Sequence, residues 1–121
     1  MRKKSVKLAR LERNRKSVFY EDLGICCYCG STYQMTKHEI FEGRNRINSM
    51  TYGFVLPLCL TCHRNLQENK EFNDMWQKKA QTYFETYIGT RDDFLKIFRR
   101  NYLWHFTDIK VVIIMSYQPI L

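Results

Sequence analysis

The sequence predicts an α+β fold, a small zinc-stabilised core with a basic helix before it and helices after it. Three observations carry this. Two Cys-x2-Cys pairs, Cys26/Cys29 and Cys59/Cys62, stand 29 residues apart. Short β-prone runs lie near those pairs, at residues 35–41 and 54–58. Beyond residue 70, apolar residues recur at helical spacing. At 121 residues the chain has the size of one domain. Apolar content of 45% and aromatic content of 15% supply material for a core. The expected segments are a basic arm over 1–20, the core over 21–68, a helical extension over 69–104 and a strand-like tail over 105–121.

Residues 4–20 read as a helix with a weak apolar stripe of Val6, Ala9, Leu11 and Val18, broken at Leu23-Gly24. Gly30, directly after Cys29, gives the backbone freedom that a tight knuckle needs. Residues 35–41 fit a short strand. Residues 42–53 are polar and bounded by glycine, so they read as a loop. Residues 54–58 are apolar and extended, and Pro57 keeps them from a central place in a sheet. A helix is expected from His63 onward. Another is expected over 70–88, with Phe72, Met75, Trp76, Ala80, Tyr83, Phe84 and Tyr87 turned inward and Gly89 ending it. Thr90 and Asp93 have the spacing of a capping box. They open a third helix over 91–101, with Phe94, Leu95, Ile97 and Phe98 on its inner face. Residues 109–115 are β-branched and strand-like.

The cysteines carry the clearest chemistry. A two-residue gap lets both thiolates of a knuckle reach one ion, and two such knuckles complete a tetrahedral site. Cys26, Cys29, Cys59 and Cys62 are therefore the expected ligands of a structural Zn2+, with Cys27 a spectator. Four protein ligands leave that ion no open position for chemistry.

The formal net charge is +8, unevenly spread. Residues 1–16 carry eight basic side chains against Glu12, which leaves only +1 for the remaining 105 residues. A basic arm on a nearly neutral body points to a polyanion such as nucleic acid. Lys3, Lys4, Arg10 and Arg13 are the expected contacts there. No apolar run approaches the ~18 residues of a membrane span. No apolar stretch follows the N-terminal basic residues, so a signal peptide is not expected. The expected location is the cytoplasm.

Two of the three histidines flank the zinc framework, His38 between the knuckles and His63 directly after Cys62. Zinc would hold the segments bearing them together, so that one serves as general base while the other holds a divalent metal. The runs CCYCGS, KHEIFEGRNR and LPLCLTCHRN resemble the zinc-knuckle form of the HNH (ββα-metal, His-Me finger) endonucleases over residues 17–66. The resemblance extends, less specifically, to small HNH proteins of bacteriophages and prophages.

That resemblance implies a ββα-metal core and hydrolysis of phosphodiester bonds in DNA. It implies His38 as general base and His63 as ligand of a catalytic divalent metal (Mg2+, Mn2+, Ni2+ or Zn2+). Two positions depart from the family pattern. Lys37 stands where an acid or histidine ligand usually precedes the base, so Glu39 is taken as the other ligand, with Glu42 a second candidate. Phe54 stands where the family has an asparagine, and Asn45 and Asn48 are expected to take over its structural hydrogen bonds. Arg44, Arg46 and Arg64 are the expected phosphate contacts around the site. DNA is the expected partner, with a homodimer or a phage packaging or replication protein beside it, in the cytoplasm of a bacterial host. The competing expectations are a zinc-stabilised DNA-binding module without catalysis and a phage accessory protein that acts by docking.

Overall fold

The computed structural model describes residues 5–103. Those residues form a mixed α+β structure with a two-stranded sheet and five helices. The order is α1 (Val6–Arg13), β1 (Met35–Glu39), a 3-10 turn (Gly43–Asn45), α2 (Arg46–Tyr52), β2 (Val55–Cys59), α3 (Leu60–Leu66), α4 (Lys70–Tyr87) and α5 (Arg91–Phe98). The chain divides into two compact units, with the boundary between Gln77 and Lys78, inside α4. The expected strand at 109–115, Lys3 and Lys4 lie outside the described residues.

In the first unit β1 and β2 pair antiparallel, with Met35 opposite Cys59, His38 opposite Leu56 and Glu39 opposite Val55. With only two strands neither is central, so Pro57 sits within β2 without breaking an inner ladder. All of β2 is buried, and with Ile40, Phe41, Met50 and Phe54 it forms the core. Phe19 packs edge-on against Trp76 and stacks on Phe54.

Two expectations are corrected here. Residues 42–53 are not a loop: they make the 3-10 turn and α2. Gly53, at φ +75°, ends α2 in the left-handed region, and a Cβ there would meet Val18 at 2.9 Å. The glycine read as a loop boundary is a helix C-cap. The helix expected over 4–20 stops at Arg13. Ser5 caps its start by accepting the Leu8 N–H. Residues 14–20 leave the helix so that the Val18 N–H can donate to the Gly53 carbonyl at 2.9 Å. The basic arm is also tied down, because Glu12 and Arg15 join a charged network with Glu39 and Arg46.

In the second unit, Thr90 and Asp93 form the capping box of α5, with both reciprocal bonds in place. Phe84, Phe94 and Phe98 pack ring on ring. Buried Gln81 accepts the Tyr102 N–H at 2.7 Å and donates to Asn101 at 2.9 Å. Of the residues expected inward, Met75 and Tyr87 are exposed, and Leu95 and Ile97 are half-buried. A short helix buries a narrow stripe, and phenylalanine at 84, 94 and 98 fills it.

Candidate functional site

Four sulfur atoms converge at the base of the hairpin. The ligand atoms of Cys26, Cys29, Cys59 and Cys62 all lie within 4.8 Å of one another, and Cys29 Sγ is 3.7 Å from Cys59 Sγ. Sulfurs bound to one tetrahedral zinc at ~2.3 Å lie about 3.8 Å apart, so the set fits that ion. Each knuckle is shaped by its own backbone. The Cys29 N–H points at Cys26 Sγ (3.5 Å) and the Cys62 N–H at Cys59 Sγ (3.4 Å), the donors that thiolates require. The Gly30 N–H returns to the Cys26 carbonyl at 2.9 Å, with Gly30 at φ +80°. The Cys27 N–H donates to the Pro57 carbonyl at 2.8 Å, docking the first knuckle on β2. Cys27 stays outside the cluster. Burial works against a Cys26 thiolate, but backbone donors at Cys29, Cys59 and Tyr28 outweigh it and bring the thiol down to about 6. Burial and the other three sulfurs push Cys62 up. Metal ligation requires thiolates, so a divalent cation bound there would displace the remaining thiol protons.

Beside that cluster the two histidines meet. Thr36 and His38 lie two residues apart on β1 and therefore share a face. His63 is the fourth residue of α3, immediately after Cys62, so the cysteine cluster and the imidazole share one rigid turn. His38 Nδ1 is 3.3 Å from His63 Nε2, and the rings meet edge to face at 5.0 Å. His63 Nδ1 is 2.7 Å from Thr36 Oγ1, whose hydroxyl donates to the Leu58 carbonyl at 2.7 Å. Hydrogen accounting fixes the tautomer. The single Thr36 proton lies on Leu58, so His63 Nδ1–H must donate to Thr36 and the His63 lone pair lies on Nε2. His38 is 2% exposed, and burial, followed by the charge of His63, drives its imidazole down to about 4.

The acids divide between the faces of β1. Glu39 does not reach the histidines. It points to the opposite side, as strand alternation requires, and pairs with Arg15 and Arg46 at 3.2 Å each. The Lys37 carbonyl accepts from Arg15 on the same side. Glu42, three residues beyond the strand and just before the 3-10 turn, has its carboxylate 3.6 Å from His38 Nδ1. Burial raises the Glu42 carboxyl, the charge of His63 pulls it back down, and the charge of Glu39 raises it again.

Of the arginines expected at phosphate, Arg46 is held by Glu12 and Glu39, and these acids with burial set its behaviour. Arg44, Arg64, Arg10 and Arg13 are exposed. Phe54 is fully buried, and Ser49 tethers the segment beside it. Its hydroxyl accepts the Phe41 N–H at 2.9 Å and donates to the Phe41 carbonyl at 2.7 Å, while the two asparagines bond each other. Thr36 and Ser49 were not singled out by sequence because a lone hydroxyl carries no pattern. Thr36's even spacing from His38 was its one available signal. Among the described residues the cysteines are the one metal-binding group whose ligand atoms all lie so close together, and no helix is long and apolar enough to cross a membrane. Comparison with family models, curated proteins and solved structures returns no match.

Proposed function

We propose that this chain is a metal-dependent endonuclease of the HNH type, hydrolysing phosphodiester bonds in DNA, in keeping with small phage-encoded nucleases. The observation that carries the reading is the pairing of His38 Nδ1 with His63 Nε2 at 3.3 Å, beside a four-cysteine cluster that fits zinc. Two imidazoles with facing nitrogens, on a hairpin and on the helix that follows it, are what a base and a metal ligand require.

In this reading the zinc is structural, and His63 Nε2 is the open ligand of a second, catalytic divalent cation. A cation held there would neutralise charge on the phosphate and assist the leaving oxygen. His38 takes the proton of the attacking water at Nδ1, the nitrogen facing His63 and Glu42. The water oxygen forms the new bond to phosphorus as the bond to the leaving sugar oxygen breaks. In the metal-free chain the His38 Nδ1–H donates a hydrogen bond to His63 Nε2; to act as base at Nδ1 the ring must carry its proton on Nε2 instead, the tautomer that a cation on the His63 lone pair would favour. Low basicity keeps His38 unprotonated at neutral pH. Exposed Arg44 and Arg64 flank the histidines in sequence and contribute phosphate contacts. Exposed Lys7, Arg10, Arg13 and Lys16 add binding that is independent of sequence and steeply salt-dependent.

One observation favours a second reading. Glu39 is neutralised by two arginines and Lys37 is cationic, so the residues flanking the base offer no carboxylate. A zinc-braced DNA-binding module without catalysis would tolerate that. Plasmid cleavage with Mg2+, Mn2+ or Ni2+, run on the wild type and His38→Ala, separates the two. The nuclease reading expects metal-dependent nicking that His38→Ala abolishes. Equal cleavage by the variant removes His38 as the base. Salt-sensitive binding without cleavage under any metal leaves the binding module.

A further inference from the structure

A cation held by one neutral imidazole needs an anionic oxygen as well, since hard divalent ions are bound chiefly through carboxylates. The HNH pattern places that acid directly before the base, where this chain has Lys37. Glu39, the adjacent acid, is turned to the other face and already neutralised by Arg15 and Arg46.

We propose that Glu42 supplies the missing ligand, forming with His63 Nε2 a divalent-cation site in front of His38. The proposal rests on the nuclease reading above. Five features carry it. The Glu42 carboxylate approaches His38 Nδ1 to 3.6 Å, on the face where His63 Nε2 lies 3.3 Å from the same atom. Among the described residues, His38 is the one basic group within ion-pair range of Glu42, so no arginine competes for that carboxylate. The Glu42 side chain is about half exposed, free to turn onto an ion. The His63 lone pair is already aimed, because Thr36 holds the opposite nitrogen as a donor. The backbone around Glu42 is also fixed, since Ser49 clasps both polar groups of Phe41, the preceding residue. Glu42 thus begins from a defined point rather than from a loose loop.

The test is Mn2+ titration of the full chain carrying one equivalent of zinc, followed by loss of the free aqua-Mn2+ electron paramagnetic resonance signal. The expected result is one tight Mn2+ per wild-type chain. Replacing even an outer-shell partner of a metal costs about 10–100-fold in affinity, so Glu42→Gln should weaken binding by roughly tenfold or more. Glu42→Asp should recover part of that, and zinc content and the far-ultraviolet spectrum should stay unchanged in both. If Glu42→Gln binds within about twofold of wild type while His63→Ala loses binding, the second ligand lies elsewhere and the proposal fails with the nuclease reading intact. If the wild type takes up no Mn2+, both fail. If uptake depends on Glu42 and His63 in a chain that never cuts DNA, the site stands and the nuclease reading falls.

Discussion

Ser49→Ala is the sharpest probe of how the polar segment after β1 is held. Ser49 has no exposed surface and Phe41 is 1% exposed, so water cannot replace a lost partner there. The serine hydroxyl accepts the Phe41 N–H at 2.9 Å and donates to the Phe41 carbonyl at 2.7 Å. Alanine removes both of these bonds from buried groups, at about 1–3 kcal/mol each. An orphaned carbonyl is tolerated better than an orphaned N–H, so the lower part of the summed range applies, about 2–4 kcal/mol. The assay is urea unfolding followed by circular dichroism, with free zinc buffered at one value. For a unit of this size the slope is near the low end of ~1–3 kcal/mol per molar, so the midpoint should fall by more than about 1 M. Thr51→Ala is the control. Its exposed hydroxyl donates to the Ile47 carbonyl within α2, and its loss should change stability by no more than about 0.5 kcal/mol. If Ser49→Ala is as mild as Thr51→Ala, the clasp does not hold the segment and the reasoning is refuted.

Two further outcomes are expected. Because His38 is held at about 4 in the fold against ~6.5 unfolded, the folded chain binds fewer protons between those values. Its contribution to stability is complete above pH ~6.5 and erodes by up to about 1.4 kcal/mol per unit as pH falls toward 4. A nuclear magnetic resonance titration of the His38 ring in the metal-free chain should give a midpoint near 4, and a midpoint at ~6.5 would place the ring in water. Chelation of zinc should unfold the hairpin unit, and in zinc buffers each tenfold rise in free zinc should add up to about 1.4 kcal/mol of stability until binding to the unfolded chain intervenes. Cys27→Ser should keep one zinc per chain by elemental analysis and Cys59→Ser should lose it. A midpoint independent of free zinc would mean that the sulfurs hold no ion.

What sequence made legible was local. The cysteine pairs were readable because the two-residue gap is itself the geometry that ligation requires, and the sulfurs do meet. The capping box at Thr90 and the start of α4 at Lys70 were readable for the same reason. Helix α2 was not, because its residues, RINSMTY, are mostly polar and carry no apolar stripe. The helix is held by burial of Ser49 and Met50 and by the left-handed turn at Gly53. Charge was misread where sequence separation hid the partner. Arg15 and Arg46 were counted toward a polyanion, yet both pair with Glu39, a contact between residues 24 and 7 positions apart. Net charge is additive along a chain, but availability is decided by which charges the fold has already paired.

Alternation along β1 explains why the two histidines meet and why Glu39 does not join them. Residues 36 and 38 face α3, and residues 37 and 39 alternate to the other face, where Glu39 pairs with Arg15 and Arg46. The register with β2 is regular from Met35 to Glu39, so no bulge is present there. The acid that does approach this face, Glu42, comes from beyond the strand, where the alternation lapses. Glu42 stands at that point, immediately before the left-handed Gly43, at φ +63°, turns the chain into the 3-10 segment. The same logic separates the two halves of Glu39's surroundings from the chemistry. By neutralising Arg15 and Arg46 on the back of the hairpin, Glu39 anchors α1 and α2 to the strand that carries His38. Its loss would disturb the site through the fold, whereas the loss of Glu42 would leave the fold standing and remove only a ligand.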